Sequence, residues 1–234
     1  MPAHKAEFDQ RIAELKARLV VQGRAVQRAI EGCVDAAFER DQGKARAVVE
    51  SDSSIDKEDV VIERLAVTLL AEAAGAGAAL SETDARTVLV IVKVNNEFER
   101  IADCAAKVAE RVPMLAASAS VIPPKFRVMA NSVIGIMQTT NTALSHLDRV
   151  AAEVVLASDD ATDAFTRALL EDTLRQLAGG QLTLALAEVL QSVAWNLGQM
   201  ADHCSNVAEQ VIYLTTGKIV RHQEDRWSKP IDVG

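Results

Sequence analysis

The chain has 234 residues, enough for one long helical domain or two small ones. Its net charge of −8 argues against unaided nucleic-acid binding, which needs basic surface to neutralise phosphates, and three sparse cysteines fit a reducing cytosol better than a disulfide framework. With 49% hydrophobic but only 3% aromatic residues, the composition favours thin, closely packed helices over a sheet protein.

Met1 to Arg18 alternates charged with apolar residues and lacks the uninterrupted apolar core of a secretory signal. Residues 5–40 place Phe8, Ile12, Leu15, Leu19, Val26, Ile30, Cys33 and Ala37 on one stripe, predicting a long amphipathic helix that Asp41-Gln42-Gly43 ends. A second helix is expected from Lys44 to Ala74, carrying Asp52, Asp56, Asp59 and Glu63 as an acidic stripe. The most apolar window, Leu65 to Leu80, contains Glu72 and is too short to span a bilayer, so the chain reads as soluble and cytoplasmic.

Ser81-Glu82-Thr83-Asp84 has the form of a capping box opening the third helix, which should end near Pro113. Its apolar seam runs through Val88, Ile91, Phe98, Ala102, Ala105 and Val112, with Asn95 in the one polar slot. Glu99 and Asp103 stack four apart beside that seam, a spacing that repels unless a cation shares the charge. Asp52 with Asp103, and Asp56 with Glu99, are equidistant from a point inside Gly75-Ala76-Gly77-Ala78. In a helical hairpin turning there, the four carboxylates face one another.

Residues 114–123 are the expected linker. Residues 125–157 repeat the first pattern as a fourth helix, Ser158-Asp159-Asp160 opens a fifth, Gly179-Gly180 turns the chain, and Gln181 to Tyr213 forms a sixth. The organisation is therefore 1–113, a linker, 124–222, and an irregular tail over 223–234: an all-α chain of two tandem antiparallel three-helix bundles. Asp159 and Asp163 recur 107 residues after Asp52 and Asp56, and Asp202 recurs 99 after Asp103. Asp159 and Asp202 are expected to pair across the second turn. Gly198 stands where the first half has Glu99, and Thr166 and Leu170 where it has Asp59 and Glu63, so the second acidic site is a reduced one.

Glu99-Arg100-Ile101-Ala102-Asp103 is similar to the ERIGD-type motif of the PhoU phosphate-regulatory family. Asp84-Ala85-Arg86 resembles that family's Asp-Leu-Arg, and Asp202 to His222 its C-terminal ending. The resemblance runs over nearly the whole chain and implies paired three-helix bundles whose E/DxxxD motifs hold metal ions or clusters. It implies a cytoplasmic, non-enzymatic adaptor that restrains the phosphate ABC transporter, through its ATPase subunit, and the phosphate sensor histidine kinase; a homodimer is also expected. Where the family has Glu-Arg, this chain has Gly198-Gln199.

Asp52, Asp56, Glu99 and Asp103 are the expected first metal site, with Asp59 and Glu63 as additional ligands, and Asp159, Asp163 and Asp202 the reduced second. The bland alternative is a solvated acidic face. An all-oxygen set suits Mg, Ca, Mn or Fe ions better than Zn, which prefers Cys and His in structural sites. Cys104 and Cys204 are expected to be buried inert thiols, His203 a structural hydrogen-bonder, Trp195 a core residue, Arg100 a local partner of acids, and Trp227 a partner contact. A carboxylate-bridged di-metal enzyme would typically supply Glu-x-x-His, which the chain lacks, and no nucleophile–base constellation or Gly-rich phosphate loop is present. A metal-binding helical interaction module unrelated to phosphate is the other reading.

Overall fold

The computed structural model describes residues 2–77, 79–118 and 121–220. Among the described residues, eight helices follow in order: α1 (Pro2–Glu39), α2 (Gln42–Gly75), α3 (Glu82–Ala109), α4 (Val112–Ala117), α5 (Pro124–His146), α6 (Arg149–Ala157), α7 (Asp159–Ala178) and α8 (Leu184–Thr216). The expected all-α, two-bundle architecture is what the chain forms. Helices α1, α2 and α3 make one three-helix bundle; α5, α8 and the α6–α7 pair make the other.

Local chemistry sets the helix ends. Asp41 caps α2 by accepting from the backbone N–H groups of Gly43 (2.7 Å) and Lys44 (3.1 Å). Ser81 and Asp84 form the predicted capping box, each side chain accepting from the other's backbone N–H.

Three expectations about the elements are corrected. The fourth helix does not run through 125–157: Leu147 turns left-handed at φ 51 and Asp148 caps α6, accepting from Val150 and Ala151. The same turn stands between α1 and α2, where Arg40 has φ 57 and Asp41 caps, so α6 and α7 together are the counterpart of α2. The expected linker begins inside α4, whose Leu115 is buried, as is Val112 at its start. The last helix opens at Leu184, not Gln181, because Thr183 accepts from the Leu186 N–H and fixes the start there. The tail 223–234, with Trp227, lies outside the described residues.

The two bundles join through α3 and α8, which form the largest helix–helix interface. The pair is antiparallel: Glu97 of α3 meets His203 and Asn206 of α8, while the earlier Arg86 meets the later Tyr213. Apolar residues at three-and-four spacing, including the fully buried Phe98, Ile101 and Leu197, fill the seams. A second tie joins α1 to α5, where the Asn141 Nδ2 donates to the Gly23 carbonyl and to Gln27 Oε1, both at 3.0 Å. Among the described residues, no helix is long and apolar enough to cross a membrane.

Candidate metal centre

The α2–α3 hairpin brings the first-half acids onto one face. Asp52 lies in the field of Asp56 on its own helix and of Asp103, Lys107 and Glu110 on α3. Burial first, then the Asp56 and Asp103 charges, push its carboxyl up to about 6, with Lys107 opposing. Glu99 is raised by burial and then by Asp103, Asp59 and Asp56, against the Arg100 charge. Asp59 is raised by burial, Glu63 and Asp56, while a hydrogen bond from Asn95 pulls it down. The expected cross-helix relations are therefore present: Asp52 lies in the field of Asp103 and also of Glu110, and Glu99 in that of Asp56 and also of Asp59.

The acids are gathered without being closed around a point. Among the described residues, no three His, Cys, Asp or Glu side chains are disposed to hold one metal ion. Two local features nonetheless suit a cation. The Asp52 Oδ1 is buried and receives no hydrogen bond, and so is the Asn95 Oδ1. Asn95 itself is 1% exposed, its Nδ2 donating to Asp59 Oδ1 at 2.6 Å and to the Asp59 carbonyl at 3.0 Å. Buried acceptors without donors cost free energy that a hard cation would recover. The sequence signal for Asn95 was its place as the one polar residue in the α3 seam; its bond to Asp59 was not foreseen. Lys107 Nζ, 3.4 Å from Asp103 Oδ2, is a cation already beside the cluster.

The second half is satisfied differently. The expected pairing of Asp159 with Asp202 is displaced by about one helical turn. Asp163, not Asp159, is the acid that acts on Asp202, and Asp159 Oδ1 accepts from Ser205 at 2.9 Å. Thr166, rather than Asp163, faces Gly198: a Cβ at Gly198 would lie 2.9 Å from the Thr166 Oγ1. Asp202 is pushed up to about 6, first by burial and then by Asp163, with His203 opposing. Its Oδ2 also accepts from the Gln199 amide at 2.9 Å. Neutral donors here occupy carboxylate oxygens that an ion would need.

The remaining expectations divide. His203 is a structural hydrogen-bonder, its Nδ1 donating to Glu97 Oε2 at 2.7 Å. Cys104 and Cys204 are buried, and burial raises both thiols, Cys104 to about 11. Trp195 is not core: it is 58% exposed, because α8 turns Asn196, Leu197 and Gly198 inward and leaves it on the outer edge with Gln199.

The C-terminal motif has a physical counterpart. The Arg86 guanidinium stacks over Tyr213 at 5.4 Å and pairs with Glu82. Gly217 closes α8 at φ 74, where a Cβ would stand 2.8 Å from the Arg86 Nη1, so the tail glycine and the α3 arginine fit each other.

The PhoU-domain family profile matches residues 20–112 and 126–211, one match in each bundle. The chain belongs to the PhoU family. A phosphate-specific transport system accessory protein PhoU homologue of Zymomonas mobilis is 28% identical over 212 residues, covering 90% of this chain and 87% of the relative. The corresponding Caulobacter vibrioides homologue is 26% identical and covers 94% of both chains. The crystal structure of PhoU from Pseudomonas aeruginosa superposes with a TM-score of 0.85 at 25% identity, covering 90% of this chain and 100% of that one. The phosphate transport system regulatory protein PhoU of Streptococcus pneumoniae has the same fold, with a TM-score of 0.83 at 22% identity, covering 91% and 99%. Within the PhoU fold, the α3–α8 antiparallel pair joins the halves, and the acidic hairpins lie one in each.

Proposed function

We propose that this PhoU-family chain is a cytoplasmic, non-enzymatic negative regulator of phosphate uptake and phosphate-responsive signalling. It acts as an adaptor on the phosphate transporter's ATPase subunit or on the phosphate sensor kinase. The observation that carries the reading is the family match in both bundles, together with full-length relatives named as accessory proteins of phosphate-specific transport.

Asp52, Asp56, Glu99 and Asp103, with Asp59 and Glu63 beside them, would hold a hard divalent or iron-type ion. The ion would supply positive charge that lets crowded carboxylates stay ionised and so sets the shape of the α2–α3 face. The unpaired Asp52 Oδ1 supports this. Asp159, Asp163 and Asp202 would hold an ion less tightly.

The test is deletion of the gene, followed by phosphate uptake and a phosphate-starvation reporter in replete medium. Derepression of both is the expected result. Unchanged uptake and reporter output, in a genome without a second family member, would overturn the regulatory reading.

A further inference from the structure

Away from the acidic face, α1 and α2 splay apart around a groove of about 1040 Å³. Small side chains make the gap, among them Ala17, Ala25 and Gly32 on α1 and Ala47 on α2, while the buried Val48 and Ile55 line it. A Cβ at Gly32 would come within 2.9 Å of the Val48 Cγ2, so the helices touch at that end. At the other end the Arg18 guanidinium donates to Glu58 at 2.7 Å and ties the helices across the opening.

Gln22 lines this groove. It is 2% exposed, and neither its Oε1 nor its Nε2 has a hydrogen-bond partner. A buried amide with both ends unpaired is costly, and it lies in the wall of this recess. Val21, on the α1 side, is 63% exposed for an apolar residue. Arg28 lines the groove toward the Gly32 end and makes no ion pair among the described residues, whereas Lys44, which also lines it, is already held by Glu39 at 2.7 Å.

The dimensions decide the kind of occupant. The lining runs from Glu14 to Gly32 on α1 and from Lys44 to Glu58 on α2. At the helical rise these stretches are about 27 and 21 Å long, which a helix of four to five turns covers and a small metabolite does not. A helix laid there would complete a four-helix arrangement.

We propose that this groove receives an amphipathic helix of the protein that the chain regulates. The helix carries a small apolar face, a side-chain amide or hydroxyl set against Gln22, and a carboxylate over Arg28. The proposal rests on the regulatory reading above and adds to it the docking surface and the chemistry of the docked segment. The single polar pair inside an apolar seam would fix the register of docking, as a buried polar position does in coiled coils.

The experiment measures binding of the full chain to the intact phosphate transporter and to the intact phosphate sensor kinase, each in nanodiscs. Val21→Asp and Arg28→Glu change exposed side chains and leave the core alone; Val150→Asp, on the exposed face of α6, is the control. The expected result is at least about a tenfold loss of affinity for both groove variants and none for the control. Gln22→Met should raise the melting temperature of the free chain by removing the unpaired amide, yet weaken binding; binding as tight as wild type would show that the amide reads nothing.

If wild type binds and both groove variants bind equally well, the groove is not the docking site, while the regulatory reading stands. If wild type binds neither assembly, the reading fails and the proposal fails with it. If Val21→Asp converts a dimer of the free chain to monomer, the occupant is a second copy, and the partner-helix assignment is overturned.

Discussion

The His203 Nδ1 lies 2.7 Å from the Glu97 Oε2, joining α8 of the second bundle to α3 of the first. Both side chains are largely enclosed, at 14% and 18% exposed, and Asn206 donates to the same carboxylate oxygen at 3.0 Å. Burial alone would raise the Glu97 carboxyl, but the hydrogen bonds from His203 and Asn206 outweigh it and hold it below the usual range. The two bundles, which share one continuous apolar core, are thereby also tied by a polar contact.

His203→Ala should therefore cost about 2 kcal/mol, since it leaves a mostly buried carboxylate with one donor fewer. The melting temperature should fall by about 4–8 °C for a chain of this size. Glu97→Gln should cost less, because the amide keeps an acceptor for both donors. Thermal melts of the two variants check the order; an unchanged melt for His203→Ala would show that the bundles are held by apolar contact alone.

A second expectation concerns pH. Asp52 and Asp202 are each pushed up to about 6 in the folded chain, from an ordinary 3.8. Asp52 faces Asp56, Asp103, Glu110 and Lys107; Asp202 faces Asp163 and His203. A carboxyl raised on folding holds its proton more tightly in the native state. Its stabilising contribution is complete below the unfolded value and is lost as pH rises through the folded one. Glu97 runs the opposite way, losing its contribution as pH falls below the ordinary 4.5. The chelated protein should therefore melt higher near pH 5 than near pH 7, and Mn²⁺ should restore the loss at pH 7. A chelated melt that rises steadily from pH 5 to 7 would contradict the crowding of these acids.

The fold was legible wherever a residue type forces a local geometry. Ser81 announces a helix start because its side chain can accept from a free backbone N–H group, and it does; Asp41, read only as part of the break after the first helix, caps the second. Leu147-Asp148 makes the same turn as Arg40-Asp41, but a leucine held left-handed carries no Gly or Pro to mark it, so the fourth helix read as continuous. Counting outward from the Gly180 turn found which acids share a face. It could not see that the second hairpin is offset by about one turn, so it placed Asp202 against Asp159 instead of Asp163. Trp195 read as core because large aromatics usually are, whereas helical phase puts it outside. Gln22 gave no signal, since an unpaired amide is a property of three-dimensional surroundings rather than spacing.

The acidic hairpins should differ in metal capacity. In the first, Asp52, Glu99 and Asp103 are half-buried and Asp52 keeps an oxygen without a donor. In the second, Gln199 and Ser205 already donate to Asp202 and Asp159. Glu99→Ala with Asp103→Ala should remove most bound Mn²⁺ or Fe²⁺, and Asp163→Ala with Asp202→Ala should remove less. Elemental analysis of the loaded proteins decides it; equal losses would show that the neutral donors yield to the ion.

Gly198 and Thr166 are the strongest test of how the second site came to be reduced. The Thr166 Oγ1 donates to the Thr162 carbonyl at 2.9 Å, which holds the side chain in place on α7. Any Cβ at position 198 would meet that oxygen at 2.9 Å and the Thr166 Cγ2 at 3.1 Å. Gly198→Glu alone must then push α7 and α8 apart. It should destabilise the chain by about 1–3 kcal/mol despite the better helix propensity of glutamate. Thr166→Ala removes both clashing atoms, so the double variant should recover most of that loss, a coupling between contacting sites that single variants cannot show. With the clash gone, the introduced carboxylate stands one turn from Asp202, and metal uptake by the second hairpin should rise above wild type. Thermal melts with elemental analysis on the two single variants and the double variant test both steps. Additive stability changes would mean that the threonine and the glycine are not fitted to each other, and restored stability without added metal would mean that the second hairpin lacks more than the one carboxylate.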